Sequence, residues 1–418
     1  MPTLVFDIRA NHDTGVSRYG LSLLAATAPL IAVAGWRLIV VARSRQKPAV
    51  RAIAGRFCAR VVSAPDEGFV RRAAWLRELL VGEEADLYFT SHYTLDRLCP
   101  VPFVFTMHDL TRLRLPQLSY TDAAFAERFG APELDLLDAE LDALSAWTQP
   151  QDGPQTFQRY FWALNRFLAG RASHIVTVSR TSAQDLRVLL GVDPRRVTVV
   201  PCGVDRSVFF PRSQQAVDSV RVRYGLAGPY LMFVGLTHPN KRFPWLVEQL
   251  ACHQGRFPPD ARLAAVGGHV EHDPEVRGLL TRHDARRFVT FPGRVSDGDL
   301  AALYTGASAL VTASVSEGSG LPPLEAQACG CPVIATDIPA FRETLHDAAR
   351  FYDPASGAQF AAFAKDALTC CSDGAPLAPF SPPSWSESSR LLFGVLSAAV
   401  EASWSGGQSR HAGAALQG

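Results

Sequence analysis

S-E-G-S-G-L-P-P-L-E-A-Q-A-C-G-C-P-V-I-A-T-D, residues 316–337, packs a turn, two carboxylates and a helix start into one short run. Just ahead of it, residues 307–313 (A-S-A-L-V-T-A) are apolar and partly β-branched, the composition of a buried parallel strand. The segment P-L-E-A-Q-A-C-G predicts a helix ending at Gly330, so the residues between form a strand-to-helix turn. Pro322 and Pro323 suit the first helical turn, where an amide hydrogen has no intrahelical partner anyway. The unpaired N–H groups then fall on Ser319, Gly320 and Leu321, three amides able to hold an anion or a row of hydroxyls. Glu317 on the loop and Glu325 at an exposed helix start flank whatever those amides bind, and sugar or ribose diols suit carboxylate acceptors. The spacing alone is unspecific, because a solvated loop Glu and a helix-surface Glu produce it equally well.

The whole string E-G-S-G-L-P-P-L-E-A-x-A-C-G-x-P-V, followed by a strand and by Glu343 in P-A-F-R-E, resembles the donor-sugar motif of family 4 glycosyltransferases. The resemblance implies a retaining enzyme of the α/β GT-B fold. Such a fold has two Rossmann-like domains whose parallel sheets face a cleft, and a C-terminal helix crossing back to the first domain. It further implies that Glu317 meets the sugar ring and Glu325 the ribose of the nucleotide. Ser319 stands where the family usually has an aromatic residue.

At 418 residues the chain is too long for one ordinary domain. A net charge of +1, from 41 Lys and Arg against 40 Asp and Glu, gives no global field for nucleic acid or an anionic membrane. The eight cysteines, at positions 58, 99, 202, 252, 329, 331, 370 and 371, form no C-x2-C pair. Neither a zinc site nor a disulfide framework is indicated, and reduced cytosolic thiols are expected. The N-terminus starts with the strand-like L-V-F-D-I and lacks the basic and apolar regions of a signal peptide. Residues 23–42 are nearly all apolar and long enough to span a bilayer, but Pro29, Gly35 and Arg37 divide them into a helix end, a turn and a buried strand.

An opening β-α-β unit follows: a strand over residues 4–8, a loop, a helix from about Ser17 and a strand over 36–42. That loop lies where α/β sheets bind ligands. Gly15-Val16-Ser17-Arg18-Tyr19 resembles the family's G-G-[IV]-x-R-Y segment, with Thr14 replacing the first glycine, and Gly15 would let backbone approach phosphate. Residues 69–80 read as a basic amphipathic helix with Phe69, Ala73, Leu76 and Leu80 on one face; a core-facing role is preferred to a membrane anchor. Strands over L-Y-F-T-S-H and residues 101–107 lead to His108-Asp109-Leu110. The run P-x-V-x-T-x-H-D-L resembles the family pattern in which that histidine, here His108, lies beside the transferred sugar; His92 is a second candidate, on the acceptor side. Residues 115–153 depart from the family as an insert, with a leucine stripe (Leu134, Leu137, Leu141, Leu144) beside Asp135, Asp138 and Asp142. The acidic edge is read as solvated rather than as a cation site. The insert is a candidate acceptor-recognition element, with burial of the stripe as the alternative, and replacing 120–150 by a Gly/Ser linker should then alter acceptor use alone.

The segment C-G-V-D resembles the family's N-G-V-D hinge, with Cys202 in place of Asn. The second domain opens with a strand over residues 230–234, Gly235 and then Lys241, which the family places against the diphosphate together with an arginine. Leu236 or Asn240 occupies that arginine's position, and Arg242 is the candidate substitute. The run ending at Val295 resembles the strand and turn whose backbone meets the nucleotide base. Asp297-Gly298-Asp299 has a metal-binding spacing, but capping of the next helix by Ser296 or Asp297 is the better account.

The expected domains are 1–203, with the insert at about 115–153; 204–384 for the donor; 385–405 as a helix returning to the first domain; and 406–418 as a mobile tail. The expected catalytic residues are His108, Glu317 and Lys241. Gly15, Gly235, Lys241, Arg242, Val295, Ser319, Gly320, Leu321 and Glu325 are expected to bind the donor. No metal or cofactor is expected beyond a nucleotide-sugar co-substrate, with GDP-mannose the first choice and a UDP-sugar the alternative. No protein nucleophile is evident, and the family expectation is that a donor phosphate oxygen deprotonates the acceptor hydroxyl. The acceptor is expected to be a glycan, a lipid-linked or a small-molecule hydroxyl, with no nucleic-acid partner and the oligomeric state left open. The expected location is cytoplasmic, with peripheral contact at the inner face of a membrane left open. A nucleotide-sugar epimerase of the same fold and a non-catalytic sugar-nucleotide binder are the competing readings.

Overall fold

Apolar strands alternating with amphipathic helices force each strand to return parallel to the last, because every crossover lies on a face of the sheet. The computed structural model describes residues 1–9, 15–65, 74–92, 99–145, 155–268, 270–369 and 381–414. They divide into two units, Met1–Cys202 with Trp385–Gly418, and Gly203–Ser384.

The first unit holds seven parallel strands: β1 (Thr3–Asp7), β2 (Arg37–Arg43), β3 (Arg60–Ala64), β4 (Leu87–Thr90), β5 (Phe103–Met107), β6 (His174–Thr177) and β7 (Val197–Val199). Their order is β3-β2-β1-β4-β5-β6-β7. The central strands β1, β4 and β5 are buried at every position, as a sheet covered on both faces requires. Edge strand β3 is not marked by the sequence, since R-V-V-S-A is short and only its last residue is buried.

Helix Gly15–Val33 continues past Pro29, contrary to the expected break there. Proline removes a single amide donor, and the face carrying Tyr19, Leu23, Leu24, Ala28 and Ile31 is fully buried on both sides of it. The helix stops where Gly35 takes φ +71°. Its length and hydropathy would also suit a membrane span, but that face is part of the unit's core. Helix Trp385–Ala414 packs along it, with Tyr19 against Trp385 (ring centroids 5.7 Å) and Trp36 against Phe393 (5.4 Å). This last helix continues to Ala414 instead of stopping near Ser405, no proline interrupting it; residues 415–418 lie outside the described residues.

Among its described residues the 115–153 segment forms a 3-10 turn at Pro116–Leu118 and two α-helices, Asp122–Phe129 and Ala131–Ser145. Leu137, Leu141 and Leu144 are buried in the same core as Phe105 of β5 and Phe157, with Leu134 packed at its edge. Phe125 stacks on Phe157 at 5.3 Å. Asp122 caps the next helix, Thr156–Arg171, by accepting from the amides of Thr156 (3.0 Å) and Phe157 (3.3 Å). Asp135, Asp138 and Asp142 are exposed, as the solvated-edge reading expects. Of the basic segment at 69–80, residues 69–73 lie outside the described residues; helix Ala74–Gly82 buries Leu76 and Leu80.

The second unit holds β8 (Tyr230–Val234), β9 (Arg262–Val266), β10 (Val289–Gly293), β11 (Ala309–Thr312), β12 (Val333–Thr336) and β13 (Arg350–Tyr352), in the order β10-β9-β8-β11-β12-β13. In each sheet the chain builds outward on one side of a central strand and then crosses to the other. The reversal lies between β1 and β4 in the first sheet and between β8 and β11 in the second. Loops leaving the carboxyl ends of those strands diverge there and leave room for a ligand. Cysteines 58, 99, 202, 252, 329 and 331 are not joined in disulfides, and Cys370 and Cys371 lie outside the described residues. Burial pushes the thiols of Cys329 and Cys331 up to about 12, so both are inert as nucleophiles at neutral pH.

Candidate active site

The reversal in the second sheet brings together the loop after β8, carrying Lys241, and the loop after β11, carrying Glu317. Glycines let the strand ends approach. Gly267 has φ +155°, and a Cβ there would lie 2.0 Å from the Gly235 carbonyl oxygen, so no side chain fits. The amides of Gly235 and Gly267 donate to Val266 and Gly293, each at 3.0 Å, continuing the ladder past the strands. The sequence marks Gly235 and passes over Gly267.

Lys241 Nζ meets Glu317 Oε1 at 2.5 Å, and Ser314 Oγ donates to the same oxygen at 2.7 Å. Asn240 stitches the two loops together: its carbonyl accepts from the Val315 amide (2.9 Å) and its side-chain amide donates to the Ser316 carbonyl (2.9 Å). Lys241, Glu317, Thr312, Gly320 and Phe341 line one small pocket. Gly320 precedes helix Leu321–Ala328 with φ +106°, and a Cβ on it would come within 2.7 Å of the Phe341 ring. Pro322 and Pro323 fall in the first turn, as expected, which leaves the early amides oriented outward along the helix axis. Ser319 is buried, and its carbonyl accepts from Thr344 Oγ1 at 3.0 Å.

Glu325 is not at an exposed helix start: it is 3% exposed, with Tyr304 Oη donating to Oε2 at 3.3 Å. Helix Asp297–Gly306, which contributes Tyr304, covers it. Arg242 is not turned into the pocket either. It caps helix Phe243–Cys252 with φ +49°, donates to the Pro354 carbonyl at 2.7 Å and lies 4.5 Å from the Trp245 ring. Val295 is half-buried in the turn after β10, and Ser296 Oγ caps the following helix by accepting from the Asp299 amide at 3.1 Å. Asp299 itself is engaged by Arg223 (2.6 Å) and Tyr224 (2.7 Å).

In the first unit, His108 stands at the carboxyl end of β5. Its Nε2 donates to the Ser91 carbonyl at 2.8 Å, and its ring sits edge-on to Tyr19 at 4.9 Å. That bond leaves Nδ1 as the acceptor. Burial lowers the pKa of His108 below the usual 6.5, so the ring is neutral at pH 7. His92 lies beside it, with ring centroids 6.3 Å apart. Gly15 is the exposed first residue of its helix, and Thr14 and the rest of the 10–14 loop lie outside the described residues. Sequence reasoning missed Ser314, Asn240, Tyr304 and Phe341. Ser314 and Asn240 are small polar groups next to motif residues and carry no spacing of their own, while Tyr304 and Phe341 read as ordinary buried aromatics of their helices.

Residues 14–208 match the family described as Glycosyltransferase Family 4, and residues 228–372 match Glycosyl transferases group 1. The chain belongs to the family 4 glycosyltransferases. Within that family it is 28% identical over 195 residues to O-antigen chain mannosyltransferase RfbU of Salmonella typhimurium, covering 47% of this chain and 51% of that protein. It is 30% identical over 216 residues to O-antigen chain mannosyltransferase B of Escherichia coli, covering 50% and 55%. It is also 30% identical over 234 residues to D-inositol 3-phosphate glycosyltransferase of Acidothermus cellulolyticus, covering 53% and 50%. The chain thus spans about half the length of the curated relatives it matches. Among solved structures, HepE of Anabaena in complex with UDP and glucose superposes with a TM-score of 0.63 at 17% identity, covering 99% of this glycosyltransferase-family chain and all (100%) of that one. WaaG, a glycosyltransferase involved in lipopolysaccharide biosynthesis, gives 0.61 at 16%, covering 93% and 94%. At such identity these neighbours show the fold, which is GT-B.

Proposed function

We propose that this chain transfers a sugar from a nucleoside-diphosphate sugar to a hydroxyl of a glycan, a lipid-linked or a small-molecule acceptor, with retention and without a metal. The observation that carries the proposal is the Lys241–Glu317 pair at 2.5 Å, set beside the N-terminal end of helix Leu321–Ala328. A cation and the backbone amides of Ser319, Gly320 and Leu321 suit the diphosphate that leaves; one such preorganised donor is commonly worth roughly 2.7–4 kcal/mol of transition-state stabilisation. Glu317 orients the sugar and Glu325 takes the ribose diol, and the family resemblance gives His108 of the first unit a part in turnover.

The donor we assign is GDP-mannose, because relatives in the family are O-antigen chain mannosyltransferases. A UDP-sugar is the second reading, favoured by the complex of HepE with UDP and glucose. The enzyme would work in the cytoplasm, alone or peripherally at a membrane, as a step in polysaccharide assembly. Thermal shift against GDP, UDP, ADP and dTDP tests the donor, since a ligand at 100 times its Kd stabilises by about 2.7 kcal/mol. A shift with UDP and none with GDP overturns the mannose assignment. Interconversion of a nucleotide sugar without any acceptor would instead make the chain an epimerase.

A further inference from the structure

One oxygen of Glu317 holds two donors. Lys241 Nζ lies at 2.5 Å and Ser314 Oγ at 2.7 Å from Oε1. Ser314 is fully buried and fixed on its own account: its carbonyl accepts from Thr336 Oγ1 at 2.5 Å, and its hydroxyl lies 3.2 Å from Thr312 Oγ1. From the other side, the two hydrogen bonds between Asn240 and the 315–316 backbone hold the loop that carries Lys241. The side chains of Lys241 and Glu317 are only 24% and 11% exposed. This is therefore a held, largely desolvated pair, and removing one member leaves an uncompensated charge on the other.

The cation suited to a diphosphate is thus already neutralised by a carboxylate of its own chain. We propose that Glu317 serves as a built-in counterion to Lys241, aimed by Ser314 as a positioning residue, and that the pair makes the site select a nucleotide sugar over the free nucleoside diphosphate. The inference rests on the donor site proposed above. A nucleotide sugar exchanges partners completely: its phosphate takes the ammonium while its sugar hydroxyls donate to the carboxylate. A free nucleoside diphosphate takes the ammonium and offers the carboxylate nothing, so it must break the pair and leave a buried acceptor underfilled. Discrimination comes from the group left unpaired with the wrong ligand. After transfer, the carboxylate loses its sugar and returns to Lys241, which favours release of the spent nucleotide.

The test is isothermal titration of the full chain with UDP, UDP-glucose, GDP and GDP-mannose. Wild type is compared with Glu317→Gln, Ser314→Ala, Lys241→Ala and the double variant Lys241→Ala/Glu317→Gln, with melting temperatures to follow folding. Glu317→Gln removes the charge at constant shape. It is expected to tighten the nucleoside diphosphate about tenfold and to weaken the matching nucleotide sugar about tenfold, each the equivalent of about 1.4 kcal/mol. Ser314→Ala should move both in the same directions by less, since the hydroxyl aims the carboxylate without touching nucleotide. With Lys241 already removed, Glu317→Gln should no longer tighten the nucleoside diphosphate, because the two effects share one contact. A wild type that binds both forms, with Glu317→Gln weakening them equally or leaving their ratio unchanged, overturns the inference and leaves the donor site standing. Wild type binding none of these four probes, nor ADP or dTDP, overturns both. Should Glu317→Gln fail to fold, an unchanged ratio in Ser314→Ala overturns the proposal and a reduced one supports it.

Discussion

Glu325 is buried and accepts from the Tyr304 hydroxyl at 3.3 Å, so on the proposed donor role its replacement acts on both the nucleotide and this bond. Glu325→Gln keeps the shape and is expected to weaken nucleotide binding by roughly 1.5–3 kcal/mol, the range for hydrogen bonds to a charged group, with unfolding still cooperative. Calorimetric titration checks it, and unchanged affinity removes Glu325 from the site. His108→Gln should lower turnover while leaving free-nucleotide affinity unaltered, because His108 belongs to the first unit and Lys241, Glu317 and Glu325 to the second. His108 also imposes a pH dependence on stability. Its pKa is lowered in the folded chain by burial, against the smaller raising effects of its bond to the Ser91 carbonyl and of Asp109. Below the usual 6.5 the unfolded chain therefore binds the extra proton more readily. Stability is complete above 6.5 and is lost as pH falls toward the lower folded value, and His108→Gln should flatten that slope in melting curves. Gly320→Ala forces a side chain into φ +106° and against Phe341; denaturant unfolding should show a loss of about 1–3 kcal/mol. At this scale Glu317, Lys241 and Gly320 were legible because a turn, a charge and a helix start sit at fixed offsets. Ser314 and Asn240 were not, because their roles depend on which loop faces which across two strands.

Elements were legible where periodicity was long and uninterrupted. The central parallel strands and the helix after Gly320 followed from apolar runs and breakers, whereas edge strand β3 carried no such run and the break expected at Pro29 was overridden by burial of the helix face around it. The insert shows the same competition. Its stripe was visible as a helix, but its destination was not, since a leucine row looks alike whether it lines a ligand site or a core. The structure places Leu137, Leu141 and Leu144 in the core of the first unit, with Asp122 capping the helix that follows. Replacing 120–150 by a Gly/Ser linker is therefore expected to remove cooperative unfolding of that unit, not merely to change the acceptor. Leu141→Ala alone should cost about 2–5 kcal/mol, read by urea unfolding. A linker variant that folds normally and glycosylates normally would show that the stripe is dispensable.

On the scale of the whole molecule, the chain order and the spatial order differ at one place: the first unit is completed only by residues that follow the second. Leu392 and Leu396 are fully buried, and Trp385 and Phe393 close over Tyr19 and Trp36. The sequence made the last helix visible, but only the family resemblance said where it goes, because an amphipathic pattern names a face and never its partner. Truncation after residue 384 should therefore expose the Tyr19 face of helix Gly15–Val33. The loss should fall on the first unit alone, because the second unit, Gly203–Ser384, keeps its own sheet and its own core around Phe233, Phe243 and Tyr352. Differential scanning calorimetry of the truncated chain is expected to show one transition near the wild-type position and the loss or lowering of another. The truncated chain should still bind nucleoside diphosphate, through Lys241 and Glu325, while transferring no sugar. Simultaneous loss of both transitions and of nucleotide binding would mean that the two units fold as one, and that the helix after Trp385 supports the donor half as well as its own.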